Sequence, residues 1–249
     1  MSHIARLFVD QPLAKGQALT LPIEQSRYLL RVMRLKPGAV VRVFNGADGE
    51  WHCELESVGK AAHLHPKAQV RAQSNVLDLT LVFAPIKKAR TDFIVEKATE
   101  LGVRAIQPVI TDYTQSNRVR TDRMQSLAIE AAEQTERMDL PRIHELIPLT
   151  TALSQWDPSK PLIFCDEGGA AEPMADVAPS LVGKGAGVLI GPEGGFSPRE
   201  RDTLRELPFV IAITLGPRIL RAETAVVSAL TLWQSLVGDW REAPYVPES

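Results

Sequence analysis

Two patterns of apolar and polar residues divide the chain near residue 72. Before it, apolar and polar residues alternate over short runs such as AVVRVF and EWHCELESV, which is typical of half-buried strands. A helix is predicted over residues 24–35, with Tyr28, Leu29, Val32 and Leu35 on one face. Short strands with a single helix predict a small β-barrel over residues 1–72.

After residue 72, apolar runs alternate with segments of helical spacing. Strands are predicted at LDLTLVFAPI, VRAIQPVI, RIHELI, PLIFCD, GVLIG and FVIAITLG. Helices are predicted over residues 91–101, 121–138 and 222–237, and the last is apolar around much of its circumference. Because strands that alternate with helices form parallel sheets covered on both faces, residues 73–249 are predicted to form an α/β domain.

The composition limits the cellular compartments and the metal sites that the sequence is compatible with. No apolar run is long enough to span a membrane, and the N-terminus has no signal-peptide pattern. Cys53 and Cys165 are the only cysteines, too few for a disulfide framework or a four-cysteine zinc site. His63 and His65 are spaced like chelating histidines but lack an evident third ligand. We therefore expect a cytoplasmic protein without metal or membrane contact.

Charge is distributed unevenly along the chain. Residues 1–72 carry ten Lys and Arg against six Asp and Glu, a net charge of +4, whereas the remainder carries −6. This asymmetry indicates that the first segment meets a polyanion. The candidate phosphate contacts are Arg6, Arg27, Arg31, Arg34 and Lys36. Chance in a short segment, or an ordinary solvated helix face, would give the same pattern.

Two glycine-bearing turns carry the most specific chemistry. VLIGPEGGFSPRE reads as strand, turn and helix start, yet it fits neither the phosphate loop, the dinucleotide fingerprint nor the nucleophile elbow. Ser197, Pro198 and Glu200 instead form a capping-box pattern, so Ser197 is predicted to be structural. ITLGPRILRAETA repeats the arrangement before the last helix. Two such turns at strand carboxyl ends predict a ligand site there.

The residues of the two turns indicate the kind of ligand. Leu189, Ile190, Ile219 and Leu220 could sandwich a flat ring while backbone groups recognise its edge. Neither turn has a lysine and hydroxyl pair for a triphosphate with magnesium. A neutral to cationic ligand that carries adenine suits such a site better.

The combination of GPEGGFSPRE with LGPRILRAETA resembles the knotted methyltransferases of the SPOUT superfamily, and more narrowly the ribosomal RNA small subunit methyltransferase E family. RYLLRVMRLKPG, VFNGADGEW, VEKATELGV and AIEAAEQTERMDLPRI extend the resemblance along nearly the whole chain. It implies an RNA-binding, PUA-like barrel over residues 1–72 and a trefoil-knotted α/β methyltransferase domain over residues 73–249. It further implies a homodimer that transfers a methyl group from S-adenosylmethionine to N3 of a uridine in 16S ribosomal RNA of the small subunit.

The resemblance also implies which residues bind the cofactor. They are Leu189, Ile190, Gly191, Gly194, Gly195, Leu215, Gly216, Ile219, Leu220 and Arg221. A third contribution is expected from the loop over residues 166–169, which is the least motif-like of the three. A basic residue is expected near Gln115 to contact RNA, and this sequence lacks it there.

Arg221, Glu223 and Glu193 are the candidate catalytic residues. The N3–H of uracil is a weak acid, so its methylation requires a carboxylate that takes the proton or an arginine that stabilises the developing charge. Two structural alternatives stay open: an Arg221–Glu223 ion pair that orders the helix start, and a Glu193 carboxylate that stabilises its own turn. Functional alternatives are methylation of another RNA atom, such as a tRNA ribose hydroxyl, and non-catalytic ribosome assembly, against which the intact glycines argue.

Overall fold

Short strands come first along the chain, and strands alternate with helices after residue 78. The computed structural model describes residues 4–59, 61–74, 76–116, 118–166 and 171–243. The strands are β1 (Arg6–Phe8), β2 (Leu19–Thr20), β3 (Val40–Phe44), β4 (Glu50–Val58), β5 (Ala61–Arg71), β6 (Leu79–Phe83), β7 (Ala105–Ile110), β8 (Arg142–Ile143), β9 (Ile147–Pro148), β10 (Leu162–Cys165), β11 (Glu172–Pro173), β12 (Ala186–Ile190) and β13 (Val210–Thr214). The helices are α1 (Ile23–Arg27), a π-helix (Tyr28–Val32), α2 (Lys88–Glu100), α3 (Thr121–Gln134), α4 (Leu149–Ser154), α5 (Met174–Val177), a 3₁₀ turn (Ala178–Ser180), α6 (Pro198–Glu206) and α7 (Ala222–Leu236).

Contacts divide these elements between two compact units. Residues 4–74 and Ala132–Leu140 form the first unit, and residues 76–131 and 141–243 form the second. The predicted division at residue 72 assigns Ala132–Leu140 to the second domain, whereas its contacts place it in the first unit. No helix in the described part of the chain is long and apolar enough to cross a membrane.

The first unit is a curled sheet of five strands in the order β1-β3-β4-β5-β2. The β3–β4, β4–β5 and β2–β5 pairs are antiparallel, and β1 pairs with β3 in parallel. Alternate residues of β3 and β4, such as Val41, Val43, Cys53 and Leu55, point into one apolar core. Burial raises the pKa of the Cys53 thiol to about 12, so this cysteine is a packing residue and not a nucleophile.

The helix predicted over residues 24–35 has a different form. It is α-helical only over Ile23–Arg27 and continues as the π-helix Tyr28–Val32. A π-turn holds more residues than an α-turn, so α-helical spacing does not bring the four predicted residues to one face. Leu29 is fully buried, but Tyr28 and Val32 are 41% and 65% exposed. The prediction of a single apolar face was therefore wrong.

A buried ion cluster lies within the first unit. The Glu50 side chain is inaccessible to solvent, and its oxygens accept hydrogen bonds from Arg6 Nε at 2.5 Å and Arg42 Nη2 at 2.9 Å. Arg42 also pairs with Glu136, which is supplied by the Ala132–Leu140 segment. Arg6 in addition donates to the carbonyl oxygens of Ala132 and Arg137 at 2.5 and 2.8 Å.

This cluster corrects the assignment of Arg6 as a phosphate contact. Arg6 is 6% exposed and its donors are used inside the protein. Burial lowers the pKa of its guanidinium, while the charge and hydrogen bond of Glu50 oppose that shift. Arginine stays charged in proteins, so Arg6 serves as a buried countercharge and not as a surface cation.

The second unit is built on a parallel sheet in the order β11-β13-β10-β12-β6-β7-β8, with β9 paired to β7. The prediction of a parallel sheet covered on both faces is confirmed. Alternate residues of β12 point to opposite faces: Val188 and Ile190 join one core cluster, and Leu189 joins the other. RIHELI splits into β8 and β9, and α3 ends at Gln134 instead of residue 138.

The buried charge of Glu50 generates a stability prediction. Glu50→Gln keeps the side-chain shape but leaves Arg6 and Arg42 without their shared buried countercharge. The first unit should lose about 3 kcal/mol of unfolding free energy. Hydrogen exchange of β4 peptides across a urea titration measures this unit separately. Glu54→Gln, which removes a half-exposed pair with Lys67, is the matched control and should change protection little. Equal protection in both variants would contradict a structural role for the cluster.

Candidate functional site

The candidate site lies where three neighbouring parallel strands end. β10 pairs with β12 on one side and with β13 on the other, all in parallel. The carboxyl ends of these strands therefore meet at one sheet edge, where open α/β sheets bind ligands. The two glycine-bearing turns follow β12 and β13, and Asp166 follows β10 directly.

A cavity of about 450 Å³ opens between these strand ends. Its volume is within the range of small-molecule sites. The lining consists of Cys165 and Asp166 after β10, residues 190–192 after β12, residues 214–220 after β13, and Ala222 and Ala225 of α7. Apolar side chains and backbone groups thus form most of the wall.

Six of the ten predicted cofactor residues line this cavity. They are Ile190, Gly191, Leu215, Gly216, Ile219 and Leu220. Ile219 is 86% exposed, so a bulky apolar side chain stands in solvent at the cavity. An exposed apolar side chain at a cavity can pack against the face of a flat apolar ligand.

Leu189 does not fit the role predicted for its side chain. It is fully buried and packs with Val82, Phe164, Phe196 and Leu204 in the core cluster on the opposite face of the sheet. Because successive strand residues alternate between faces, Leu189 and Ile190 cannot both point into the cavity. The sandwich of a ring between these two side chains is therefore excluded.

Each position of the first turn that holds a glycine favours it for a different physical reason. A Cβ at Gly191 would lie 2.7 Å from the Phe196 ring, so packing against Phe196 requires the glycine. At Gly194 a Cβ would lie 3.3 Å from the Cβ of Tyr113. Gly195 has a φ of +68°, its N–H bonds the Pro192 carbonyl at 2.9 Å, and it faces a separate recess of about 10 Å³. Gly194 and Gly195 therefore shape the turn beside the cavity.

Gly216 in the second turn differs from these three. Its φ is +100°, which favours glycine, yet a Cβ built there would meet no atom within 4 Å. Open space beside a lining glycine leaves room for a ligand to approach the backbone. The positive φ accounts for the glycine at this position, and its place in the cavity lining makes Gly216 a point where a ligand can reach the backbone.

The Ser197 capping box is confirmed. Ser197 Oγ accepts a hydrogen bond from the Glu200 N–H at 3.3 Å, and Glu200 Oε2 accepts one from the Ser197 N–H at 2.9 Å. Ser197 Oγ donates to Asp112 Oδ2 at 2.5 Å. These bonds fix the exit of the first turn and account for Ser197 as a structural residue.

Arg90, which the sequence motifs did not indicate, connects two of the predicted catalytic residues. Its Nη1 pairs with Glu193, and its Nε lies 3.5 Å from Glu223 Oε1. One arginine from α2 thus joins the first turn to the start of α7. Nothing in KKARTD distinguishes Arg90 from its neighbours, because the signal exists only in three dimensions.

The structural alternative of an Arg221–Glu223 ion pair is contradicted by this arrangement. Glu223 pairs with Arg90, and Arg221 is exposed at the N-cap of α7 without a side-chain capping bond. Glu223 Oε2 is buried and has no hydrogen-bond partner among the described residues. A buried carboxylate oxygen without a donor is costly, and it is an acceptor available to a ligand.

The loop after β10 is described only in part. Asp166 is 5% exposed, and its Oδ2 accepts a hydrogen bond from Arg205 Nη2 at 2.5 Å. Residues 167–169 of the predicted third loop lie outside the described residues. Within the described ranges there is no group of three or more His, Cys, Asp and Glu that could hold a metal ion.

Comparisons with known proteins agree with this architecture. Residues 72–234 match the model of the RNA methyltransferase domain family, and residues 21–62 match that of the RNA methyltransferase PUA domain. The chain is 31% identical to ribosomal RNA small subunit methyltransferase E of Rickettsia conorii, over 90% of this chain and 93% of that protein.

Solved structures give the same result. The structure of a ribosomal RNA small subunit methyltransferase E from Neisseria gonorrhoeae bound to S-adenosylmethionine superposes with a TM-score of 0.86, at 30% identity, over 96% of this chain and 100% of that one. A methyltransferase from Legionella pneumophila in complex with the same cofactor also gives a TM-score of 0.86, at 26% identity, over 95% of this chain and 99% of that one.

Proposed function

Because the chain belongs to the ribosomal RNA small subunit methyltransferase E family, we propose that it transfers a methyl group from S-adenosylmethionine to N3 of a uridine in 16S ribosomal RNA. The observation that carries this proposal is the cavity at the ends of β10, β12 and β13, with the Arg90–Glu223 pair beside it. A cytoplasmic enzyme is expected, since its substrate is ribosomal RNA.

The lining fits the cofactor. Ile190, Leu215 and Leu220 offer apolar contact for an adenine ring, and the open space at Gly216 lets a ligand reach the backbone. Among the described residues, the cations that line the cavity are limited to Arg218. When bound, the cofactor supplies the electrophilic methyl group of its sulfonium.

The side chains at the start of α7 suit the proton chemistry at uracil N3. Methylation forms the N3–C bond and requires the N3–H bond to break, so a base must take that proton. We assign this role to Glu223, whose Oε2 is buried without a partner among the described residues. Arg221 is exposed at the helix start and is assigned to the developing charge on the uracil oxygens.

Arg90 and Glu193 hold this carboxylate in place. Arg90 is bound on one side by Glu193 and on the other by Glu223 Oε1, so Oε2 is the oxygen of Glu223 that no described residue binds. Glu193 is thus better described as a positioning residue than as the base itself. N3 lies on the pairing edge of uracil, so the substrate uridine must be unpaired or splayed out.

The function is tested by nucleoside mass spectrometry of 16S ribosomal RNA. A strain that lacks this gene should lose 3-methyluridine, and the wild-type chain should restore it. In vitro, Glu223→Gln should lower kcat about 10²-fold because the base is lost. The residual rate should rise with pH, since hydroxide then removes the proton; a rate loss that pH does not relieve would remove Glu223 as the base. A methyl group found on a ribose or another base atom would refute the N3 assignment.

Cofactor binding is tested at Gly216. Gly216→Asn keeps a residue that tolerates positive φ but places a side chain in the space beside the cavity. Affinity for S-adenosylmethionine measured by calorimetry should fall at least about tenfold, or 1.4 kcal/mol. Gly38→Asn is the control, because Gly38 also has a positive φ of +86° with open space around it but belongs to the first unit. Unchanged affinity in a folded Gly216→Asn protein would disprove the site.

We also propose that residues 1–72, which belong to the first unit, form the RNA-binding domain. Arg27, Arg31, Arg34 and Lys36 are exposed, and no carboxylate lies within salt-bridge distance of them among the described residues. These cations on the π-helix and its flanks are available to phosphates. Arg34 has a φ of +54°, so a substitution there would mix charge with backbone strain.

The salt dependence of binding tests this face. The double variant Arg27→Glu, Arg31→Glu should weaken binding to 16S ribosomal RNA and reduce the slope of log affinity against log salt by about 0.7 for each lost phosphate contact. Lys67→Glu, at an exposed residue paired with Glu54, is the control from the same unit. Equal salt slopes for variant and wild type would exclude the basic face from the interface.

The knot and the homodimer belong to the same proposal. β13 lies two strands from β12, yet α7 returns to pack against β12 and α2, which supports a crossing connection. An experimental backbone trace without that crossing would contradict the knot.

For the dimer, Val227 is only half-buried on α7, whereas Leu230 is fully buried in the core and cannot be an interface residue. Sedimentation of fully active protein as a monomer at micromolar concentration would contradict a homodimer.

A further inference from the structure

A second cavity in the second unit has no role in the chemistry described so far. It has a volume of about 230 Å³ and lies between the start of α2, the connection after β7 and the start of α3. Pro85, Ile86, Val119 and Met124 contribute apolar wall. Four cations also line it: Lys88, Arg118, Arg120 and Arg123.

The cations around this cavity are only partly neutralised. Arg123 binds Asp92 with two donors, Nε and Nη2, at 2.9 and 2.6 Å, and Arg120 Nη2 binds Asp122 at 2.5 Å. Among the described residues, no carboxylate lies within 4 Å of the charged groups of Lys88 or Arg118. Two positive charges thus remain available to an anion.

Apolar wall and spare positive charge together specify the ligand class. Inorganic phosphate would pair with the cations but make no contact with the apolar wall. An apolar molecule would pack against the wall but leave the cations unpaired. A nucleotide of single-stranded RNA uses both, because its base stacks on apolar surface and its phosphate pairs with Lys or Arg. The volume is too small for several nucleotides and suits one base.

Helix α2 contributes both to this cavity and to the ion cluster of the proposed methylation site. Lys88, Thr91 and Asp92 line the cavity, while Arg90 in the same helical turn pairs with Glu193 and Glu223 beside the first cavity. One turn of an α-helix rises about 5.4 Å. One turn of α2 thus carries residues of the second cavity and also the arginine that pairs with Glu193 and Glu223.

We propose that the cavity lined by Lys88, Arg118 and Met124 is a second nucleotide subsite, which holds an unpaired nucleotide of the ribosomal RNA beside the uridine to be methylated. The identity of the RNA rests on the proposed function; the binding chemistry does not depend on which atom receives the methyl group. The subsite explains how a site specific for one uridine recognises its surroundings within the methyltransferase unit. Lys88 and Arg118 would also supply the basic RNA contact expected at the position of Gln115.

The test compares charge reversals at two sheet edges. Lys88→Glu and Arg118→Glu alter the cavity; Lys184→Glu and Arg104→Glu alter exposed residues just before β12 and β7, at the opposite ends of the strands. With purified 16S ribosomal RNA, each cavity variant should bind at least about tenfold more weakly, with a salt slope lower by about 0.7. The controls should bind as wild type, and all four should keep wild-type affinity for S-adenosylmethionine. Equal losses in cavity and control variants would overturn the subsite.

A direct contact measurement completes the design. Ribosomal RNA that contains 4-thiouridine should crosslink to a peptide within residues 118–124 in wild type, and the yield should fall in Arg118→Glu. Crosslinks found only elsewhere in the protein would overturn the proposal. So would saturable binding of uridine 5′-monophosphate that is lost in Arg118→Glu while RNA binding is unchanged, because the cavity would then serve a free nucleotide. Absence of 3-methyluridine with these binding results intact would refute the N3 assignment and leave the subsite standing.

Discussion

The parallel pairing of β10 between β12 and β13 is the constraint on which the functional region depends. It brings the carboxyl ends of three strands to one edge, although their residues are up to about fifty positions apart in the chain. A parallel sheet must also be covered on both faces, which commits alternate residues to two cores. The side chain of Ile190 is therefore available to the cavity, and that of Leu189 is not. The two glycine-bearing turns at this edge add their backbone and the exposed Ile219 side chain to the cavity.

Arg90, a residue of α2, pairs with the carboxylates at this edge of the sheet. Arg90 satisfies Glu193 and one oxygen of Glu223, and the other oxygen stays buried without a donor among the described residues. An unsatisfied buried acceptor costs about 1–3 kcal/mol, more when it is charged. The role of proton acceptor that we propose for Glu223 would offset this cost. The same helical turn carries Lys88, which lines the second cavity, so α2 contributes to both regions.

Much of the architecture could be predicted from the sequence because it depends on local patterns. The parallel strands follow from continuous apolar runs, and the Ser197 capping box follows from four consecutive residues. The π-helix could not be predicted in this way, because apolar spacing does not distinguish a π-turn from an α-turn within so short a helix. Arg90 was missed for the opposite reason: its sequence surroundings are ordinary, and only the fold brings it to two carboxylates far away in the chain.

Arg6 shows why the charge of a segment is not the charge of a surface. Three of the arginines counted in the +4 of residues 1–72, Arg6, Arg42 and Arg71, lie around Glu50 and Glu136 inside the first unit. Glu136 comes from a segment that follows α3, so a count over residues 1–72 omits a carboxylate that neutralises them. What is left for a polyanion is the smaller group on the π-helix and its flanks, where Arg27, Arg31 and Lys36 are exposed. The interior charges are neutralised by Glu50 and Glu136, and the exposed charges are the ones that phosphates can reach.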